Sequence, residues 1–332
     1  MLMDEPDPAI STRPSISLGV QAGTVKRADA GRQVAPTPVI SVVMPVFNEQ
    51  SHLDDQLDAL SAQDIKGPWK VVISDNGSTD ATRDLVLARR PAFPVPLRLV
   101  DSSACRGAAH ARNAGILAAR APLIAFCDGD DVVSRAWLPS ALLGLADHDV
   151  VGGPLRRLVE PFDPHSARLP YTSIADDSIM TCSVALRREV LERAGGFDAT
   201  FSGHGREDHE LSVRLWKVGA RFGHEEGMEA HYRLEPNQWT FTRKIYLSAI
   251  ADTRVWKRHP DVFPGRQSRG YVIREALALP ANALRSPHTG GPRRLARTVV
   301  SLLAHARSLL PAQRPLGSPI LLGDTVGALE VI

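Results

Sequence analysis

Asp128, Asp130 and Asp131 put three carboxylates within four residues, directly after the apolar run Leu123–Cys127. Carboxylates this close repel one another unless a cation neutralises them. Hard oxygen ligands suit Mg2+ or Mn2+, and such an ion in turn holds phosphate oxygens. The chemistry on offer is a metal-bridged diphosphate. An acidic turn is the alternative, because Asp and Gly mark turns in their own right. The apolar run reads as a buried strand of a parallel sheet. Ligands of open α/β sheets bind at the carboxyl ends of such strands.

Other elements deliver polar residues to the same edge. Val39–Phe47 is β-branched and apolar, a central strand that runs into Asn48 and Glu49 past Pro45. Leu53, Leu57 and Leu60 then follow helical spacing. Trp69–Ser74 is a second strand, ending at Asp75-Asn76-Gly77-Ser78. Ser78 or Thr79 is placed to cap a helix running to about Arg89. Val95–Val100 makes a third strand, ending at Asp101, and Gly107–Arg120 an Ala-rich helix that leads into Leu123. This β-α-β-α-β-α-β order predicts an α/β fold with a mostly parallel central sheet flanked by helices. No G-x-G-x-x-G follows the first strand and no G-x-x-x-x-G-K-[ST] occurs, so dinucleotide-binding and P-loop readings lack their fingerprints.

Beyond the acidic stretch, Asp149–Leu158 reads as a strand and PFDPHSARLPY as a Pro-rich loop. Thr181-Cys182-Ser183 opens a helix over Val184–Arg193, closed by Gly195-Gly196. Glu207–Val218 is a further helix, and Ala220–His224 and Met228–Tyr232 are short strands. Trp239–Trp256 is helical, residues 261–270 form a polar linker, and the tail from Tyr271 is helical with Pro breaks. No acidic residue lies between Glu275 and Asp324, against six arginines. Within residues 292–310, Leu295, Val299, Leu302, Leu303, Ala306, Leu309 and Leu310 share one face and Arg293, Arg294, Arg297 and Arg307 the other. Such a helix is able to lie on an anionic membrane surface, or to dock on the catalytic domain with its basic face in water.

The motifs SVVMPVFNE, VVISDNGSTD, RGAAHARNAG, FCDGDD, GGFDATF and REDHELSVRLW resemble, in family order, the inverting family 2 glycosyltransferases of GT-A fold. The likeness covers roughly residues 39–232. It implies transfer of a sugar from a nucleotide-diphosphate donor to an acceptor hydroxyl, in cell-envelope or exported polysaccharide or glycoconjugate synthesis. Carried over residue by residue, Pro45, Phe47, Asn48 and Glu49 sit by the nucleoside. Asp75 accepts a hydrogen bond from the base, which favours uracil and a UDP-sugar; its other reading is a turn residue beside Gly77. Arg106 reaches phosphate, whereas Arg112 reads as a structural ion pair and Asn113 and Gly115 as packing residues. Asp128 touches the ribose or the metal, and Gly129 borders the donor. Asp130 matches the metal position of the D-x-D motif, with Asp131 in support and Mn2+ or Mg2+ as the ion. Asp208 is the general base of the Glu207-Asp208 pair, whose alternative is a plain acidic first turn. His231 is a third metal ligand or a satisfied core histidine. His204 lines the acceptor pocket, and the acceptor is a carbohydrate or a lipid-linked group.

Two competitors remain at this point. A nucleotidyltransferase on a related sheet would want a Gly-rich loop with a basic residue after the first strand, where this chain has FNEQSHL. A non-catalytic sugar-nucleotide-binding protein would need neither Asp130 nor Asp208. A net charge of +2 offers no bulk attraction to nucleic acid. Cys105, Cys127 and Cys182 are odd in number and lack C-x-x-C spacing, which fits a cytoplasmic protein, peripheral at the inner membrane face if the basic helix binds there. The expected organisation is a disordered leader over 1–36, a catalytic domain over 37–260 whose nucleotide half ends near 135, and a helical basic extension over 261–332.

Overall fold

A computed structural model of the chain describes residues 37–175, 178–201, 205–234, 237–266, 268–284, 291–308, 321–322 and 330–331. The leader expected over 1–36, and His204, lie outside the described residues.

The first half follows the alternation read from the sequence. Its elements are β1 (Ile40–Val46), α1 (Leu53–Ser61), β2 (Trp69–Asp75), α2 (Thr82–Arg89), β3 (Leu97–Asp101), α3 (Ala108–Ala118) and β4 (Leu123–Cys127). A short β5 (Val132–Val133), α4 (Trp137–Asp147), β6 (Val150–Gly152), β7 (Pro154–Arg157) and β8 (Arg168–Thr172) come next. After β9 (Ile174–Ala175) and β10 (Ser178–Ile179), β11 (Ser183–Arg187) and α5 (Arg188–Arg193) return the chain to the sheet. Then follow α6 (Glu207–Lys217), β12 (Phe222–His224), β13 (Ala230–Tyr232), α7 (Gln238–Arg258), α8 (Arg269–Leu284), α9 (Gly291–Ser308) and β14 (Glu330–Val331).

The main sheet has the order β12-β6-β11-β4-β1-β2-β3-β14. Strands β4, β1, β2 and β3 are mutually parallel, while β11 runs antiparallel between β4 and β6. Along β1 the side chains alternate: Ile40, Val42, Met44 and Val46 join one core with α1 and α4, and Val43 joins another with α3, α5 and α6. Both faces are covered, so the central strands read as continuous apolar runs. A second, four-stranded sheet, β5-β13-β7-β8, leans on the acidic turn after β4.

Three expectations are corrected. Ser183–Arg187 is not the start of a helix but strand β11, with only Arg188–Arg193 helical. A short apolar run such as SVALR suits either period, and pairing on both edges decides it here. The single strand expected over Asp149–Leu158 is divided between two sheets. The break is at Gly153, where a Cβ would stand 2.5 Å from the carbonyl oxygens of Glu225 and Met228. Neither Ser78 nor Thr79 caps α2: the helix begins at Thr82 without a side-chain cap, and both residues instead bind Asn48.

Helix α9 packs on α7 through Ala304 and His305, whose ring lies 4.7 Å from that of Trp256. Val299 and Leu303 stay exposed, as do Ile273 and Leu277 on α8. His259, just past α7, donates from Nε2 to buried Glu210 of α6 at 2.9 Å and ties the end of α7 to α6. No helix among the described residues is long and apolar enough to cross a membrane.

Candidate active site

Parallel register aligns the carboxyl ends of the strands. Val46 pairs with Asp75 and Asp75 with Asp101, so the loops after β1, β2 and β3 leave one edge together with the turn after β4. A cleft of 260 Å³ opens there. Pro45, Phe47, Glu49, Asp128, Gly129 and Asp130 of the expected donor set line it. Gly129 lets the acidic turn lie close on β1, since a Cβ there would stand 3.1 Å from a Val46 methyl.

Carboxylate oxygens of Asp128, Asp130 and Asp131 lie within 4.8 Å of one another. Burial, then the neighbouring carboxylates, pushes Asp130 above its ordinary value and Asp131 further. Glu49 is pushed up to about 7 by burial, with Asp130, Asp128 and Asp80 adding to it. Asp131 is buried; Oδ1 accepts the Arg233 N–H at 2.8 Å, and Oδ2 has no hydrogen-bond partner among the described residues. A concentrated, under-neutralised set of hard oxygens with one orphaned buried oxygen fits a divalent cation.

His231 does not join that cluster. It is buried in β13, with Nε2 3.3 Å from the Pro164 carbonyl and its ring 4.9 Å from that of Phe162. Asp75 is fully buried and lines no part of the cleft. Its Oδ1 accepts the Ser78 N–H at 3.0 Å and its Oδ2 pairs with Arg83 at 3.2 Å, the turn role weighed for it. Asn48, at φ 57°, accepts the Thr79 N–H at 2.8 Å and so pins the loop after β1 to the loop after β2. Arg106 lies over the Phe47 ring at 4.7 Å and donates to the Asn76 carbonyl at 3.3 Å.

Arg112 does more than its sequence reading allowed. Projecting from α3, it is buried, donates to Asp128 Oδ1 at 2.9 Å and to Glu207 Oε1 at 2.7 Å, and also lines the cleft. One guanidinium thus joins the donor-side carboxylates to the first turn of α6. With Glu207 held, Asp208 is the next carboxylate in that turn. Burial and then the Glu207 charge push it up to about 6, against the pull of the His209 N–H, Arg112 and Arg206. A carboxylate poised near neutrality is suited to taking a proton.

Arg233 was missed altogether. Besides its backbone bond to Asp131, its Nε donates to the Asp130 carbonyl at 3.0 Å, and Glu160 pairs with it at 3.2 Å. Its charge acts on Glu49, Asp130 and Asp131 alike. No local pattern marks it, because it meets the acidic turn only through the β5–β13 pairing. Asn76 was passed over too; its side chain bonds the Ser102 and Cys105 carbonyls and the Gly107 N–H, fixing the loop that starts α3.

The sequence model of glycosyl transferase family 2 matches residues 41–195, and that of the N-terminal domain of galactosyltransferase matches residues 160–235. Validoxylamine A glucosyltransferase of Streptomyces hygroscopicus subsp. limoneus is 30% identical over 269 residues, 68% of this chain. Pre-mycofactocin glycosyltransferase of Mycobacterium tuberculosis is 28% identical over 290 residues, 81% of this chain. The chain spans 58% and 57% of the length of these two relatives. Among solved structures, the mannosyltransferase PcManGT from Pyrobaculum calidifontis, in complex with GDP-Man and Mn2+, superposes with a TM-score of 0.62 at 20% identity. That match covers 84% of this chain and 89% of the other. Residues 1–349 of S. aureus TarS, in complex with UDP-GlcNAc, give 0.51 at 15% identity, covering 84% and 94%. The mainly parallel sheet flanked by helices is a GT-A fold, and the chain belongs to glycosyltransferase family 2.

Proposed function

We propose that this chain is a metal-dependent inverting glycosyltransferase that moves a sugar from a nucleotide-diphosphate donor to an acceptor hydroxyl. One observation carries the reading: buried Arg112 holds Asp128, beside the cation-suited oxygens, and Glu207, beside the raised Asp208 carboxylate, in a single network. Asp130 with Asp128 would hold Mn2+ or Mg2+, which neutralises charge on the departing diphosphate when bound. Asp208 takes the proton of the acceptor hydroxyl as its oxygen attacks the anomeric carbon. The bond from that carbon to the diphosphate oxygen breaks, and the nucleoside diphosphate leaves with the electron pair. Attack opposite the leaving group inverts the anomeric centre. His231 would have to leave Phe162 and Pro164 to reach the ion.

A UDP-sugar is the favoured donor from the sequence reading of Asp75. Both Asp75 oxygens are engaged within the chain, so a base reaches it only through a remaining lone pair. The structural neighbours carry GDP-Man in one case and UDP-GlcNAc in the other, so donor identity is a matter for the panel below. A cell-envelope role at the inner membrane face draws support from Leu303 and Val299, apolar and exposed on α9 in a stretch rich in arginine.

The test is a thermal-shift panel of UDP, GDP, CDP, ADP and dTDP, each with Mn2+ or with EDTA. Binding to the native state raises the melting temperature by mass action. A shift with UDP that needs Mn2+ and is lost in Asp130→Ala is the expected result. A GDP shift would keep the chemistry and replace the base. No shift with any nucleotide would leave a glycosyltransferase without a donor and overturn the reading.

A further inference from the structure

A second and larger cavity, of 610 Å³, shares no lining residue with the donor cleft. Two of its wall residues adjoin the chemistry in sequence. Arg206 immediately precedes Glu207-Asp208, and Tyr232 stands between His231 and Arg233, the residue that holds Asp131. The opposite wall comes from α7, with Phe241, Ile245, Ser248 and Ala249, and from α9, with Ser301. These helices lie outside both matched family regions, 41–195 and 160–235.

The lining has a mixed character. Tyr171, Met180 and Tyr232 supply an apolar floor from the sheet side. Its one described carboxylate, Asp252, is held by Arg206 at 2.9 Å and faces His209 at 3.6 Å. Lys244 therefore stands on the wall as an exposed cation that Asp252 does not neutralise. A partly apolar chamber with a positive charge at its wall recognises an amphiphile: an apolar body in the cavity and an anionic group on the lysine. We infer that helices α7 and α9 complete an acceptor-side pocket that takes the apolar, anionic portion of the acceptor. This rests on the glycosyltransferase reading for its purpose but not for its measurement.

The full chain is titrated with 8-anilinonaphthalene-1-sulfonate, an apolar aromatic body bearing one sulfonate, and its fluorescence is followed. Saturable binding at one site per chain is expected. Ser248→Trp, which fills the cavity from α7, should weaken it by roughly tenfold or more, and Lys244→Glu by roughly three- to tenfold. The Mn2+-dependent nucleotide shift should be unchanged in both variants, so a failed pocket and a failed donor site are separately visible. Thermal melting of each variant confirms that it folds; should Ser248→Trp not fold, Ser301→Phe fills the same cavity from α9. Binding untouched by Ser248→Trp in a folded protein would overturn the pocket. Equal affinity for the neutral analogue N-phenyl-1-naphthylamine would overturn the anionic part.

Discussion

Asp208→Asn removes the proton acceptor while keeping the size and the burial of the side chain. Asp208 is pushed up to about 6 by burial and the Glu207 charge, so in the wild type the ionised base falls away below neutral pH. At pH 7 about nine-tenths of it is ionised, and at pH 5 about one-tenth. The turnover profile should therefore show an acidic limb centred near 6. The amide cannot take the proton, so turnover should drop by roughly 10²–10⁴-fold and the limb should vanish. Donor affinity should hold, because Asp208 lies outside the donor cleft. Stability gives an independent sign. A carboxylate raised in the folded state weakens the fold as pH climbs from its ordinary value towards 6. The asparagine variant should thus be no less stable at pH 7, and up to about 3 kcal/mol more so before discounting for partial solvent access. Initial rates of nucleoside diphosphate release from pH 5 to 8, with melting curves alongside, measure both. A variant within about tenfold of wild type, or one that keeps the acidic limb, would move the base elsewhere.

Arg112→Met strands Asp128 and Glu207 without their shared cation, and should lower stability by about 3 kcal/mol at neutral pH in a denaturant melt. It should also shift the acidic limb of turnover upward, because Arg112 helps hold the Asp208 pKa down. Metal affinity should rise with pH across the titration of Glu49, pushed up to about 7, as the proton and the ion compete for one charge cluster. Calorimetry of Mn2+ in two buffers of different ionisation enthalpy should detect proton release that shrinks towards pH 8. Burial would raise Glu210, but its bonds to His259 and Arg214 outweigh this and hold it below its ordinary value. Glu210→Gln should accordingly destabilise the fold at neutral pH and lose that deficit as pH falls through the wild-type pKa, read from melts between pH 3 and 7. Leu303→Glu on α9 should reduce co-flotation with anionic liposomes while leaving melting unchanged, since Leu303 is 62% exposed; undiminished flotation would deny α9 a membrane role.

Much of the nucleotide half was legible because its signals are local. Leu53, Leu57 and Leu60 mark α1 by spacing, and all three are fully buried against the sheet. The β-branched runs of β1 and β2 sit where both faces are covered, so composition alone reveals them. The acidic turn after β4 was readable because three carboxylates in four residues have few stable environments. Legibility failed where pairing, not periodicity, decides. Ser183–Arg187 became a strand because β4 and β6 offered it two edges, and Gly153 split a strand because two carbonyls crowd it.

The site residues divide in the same way. Asp130 and Asp208 stand out by motif, yet what makes them a pair is Arg112, 16 residues from Asp128 and 95 from Glu207. Its neighbourhood in sequence contains neither partner, so an ion pair was the most that spacing could offer. Arg233 lies 103 residues from the backbone oxygen it holds. Both arginines reach into the carboxylate cluster, and both carry charge that survives at any working pH. A site built to gather negative charge from strand ends must import its positive charge from distant elements. Part of that charge has to be permanent, or the empty site would titrate itself apart before a cation arrives. Glu49, raised to about 7 beside Asp130 and Asp128, is a carboxyl that takes up a proton near neutral pH, and its ionisation would report the ion's arrival.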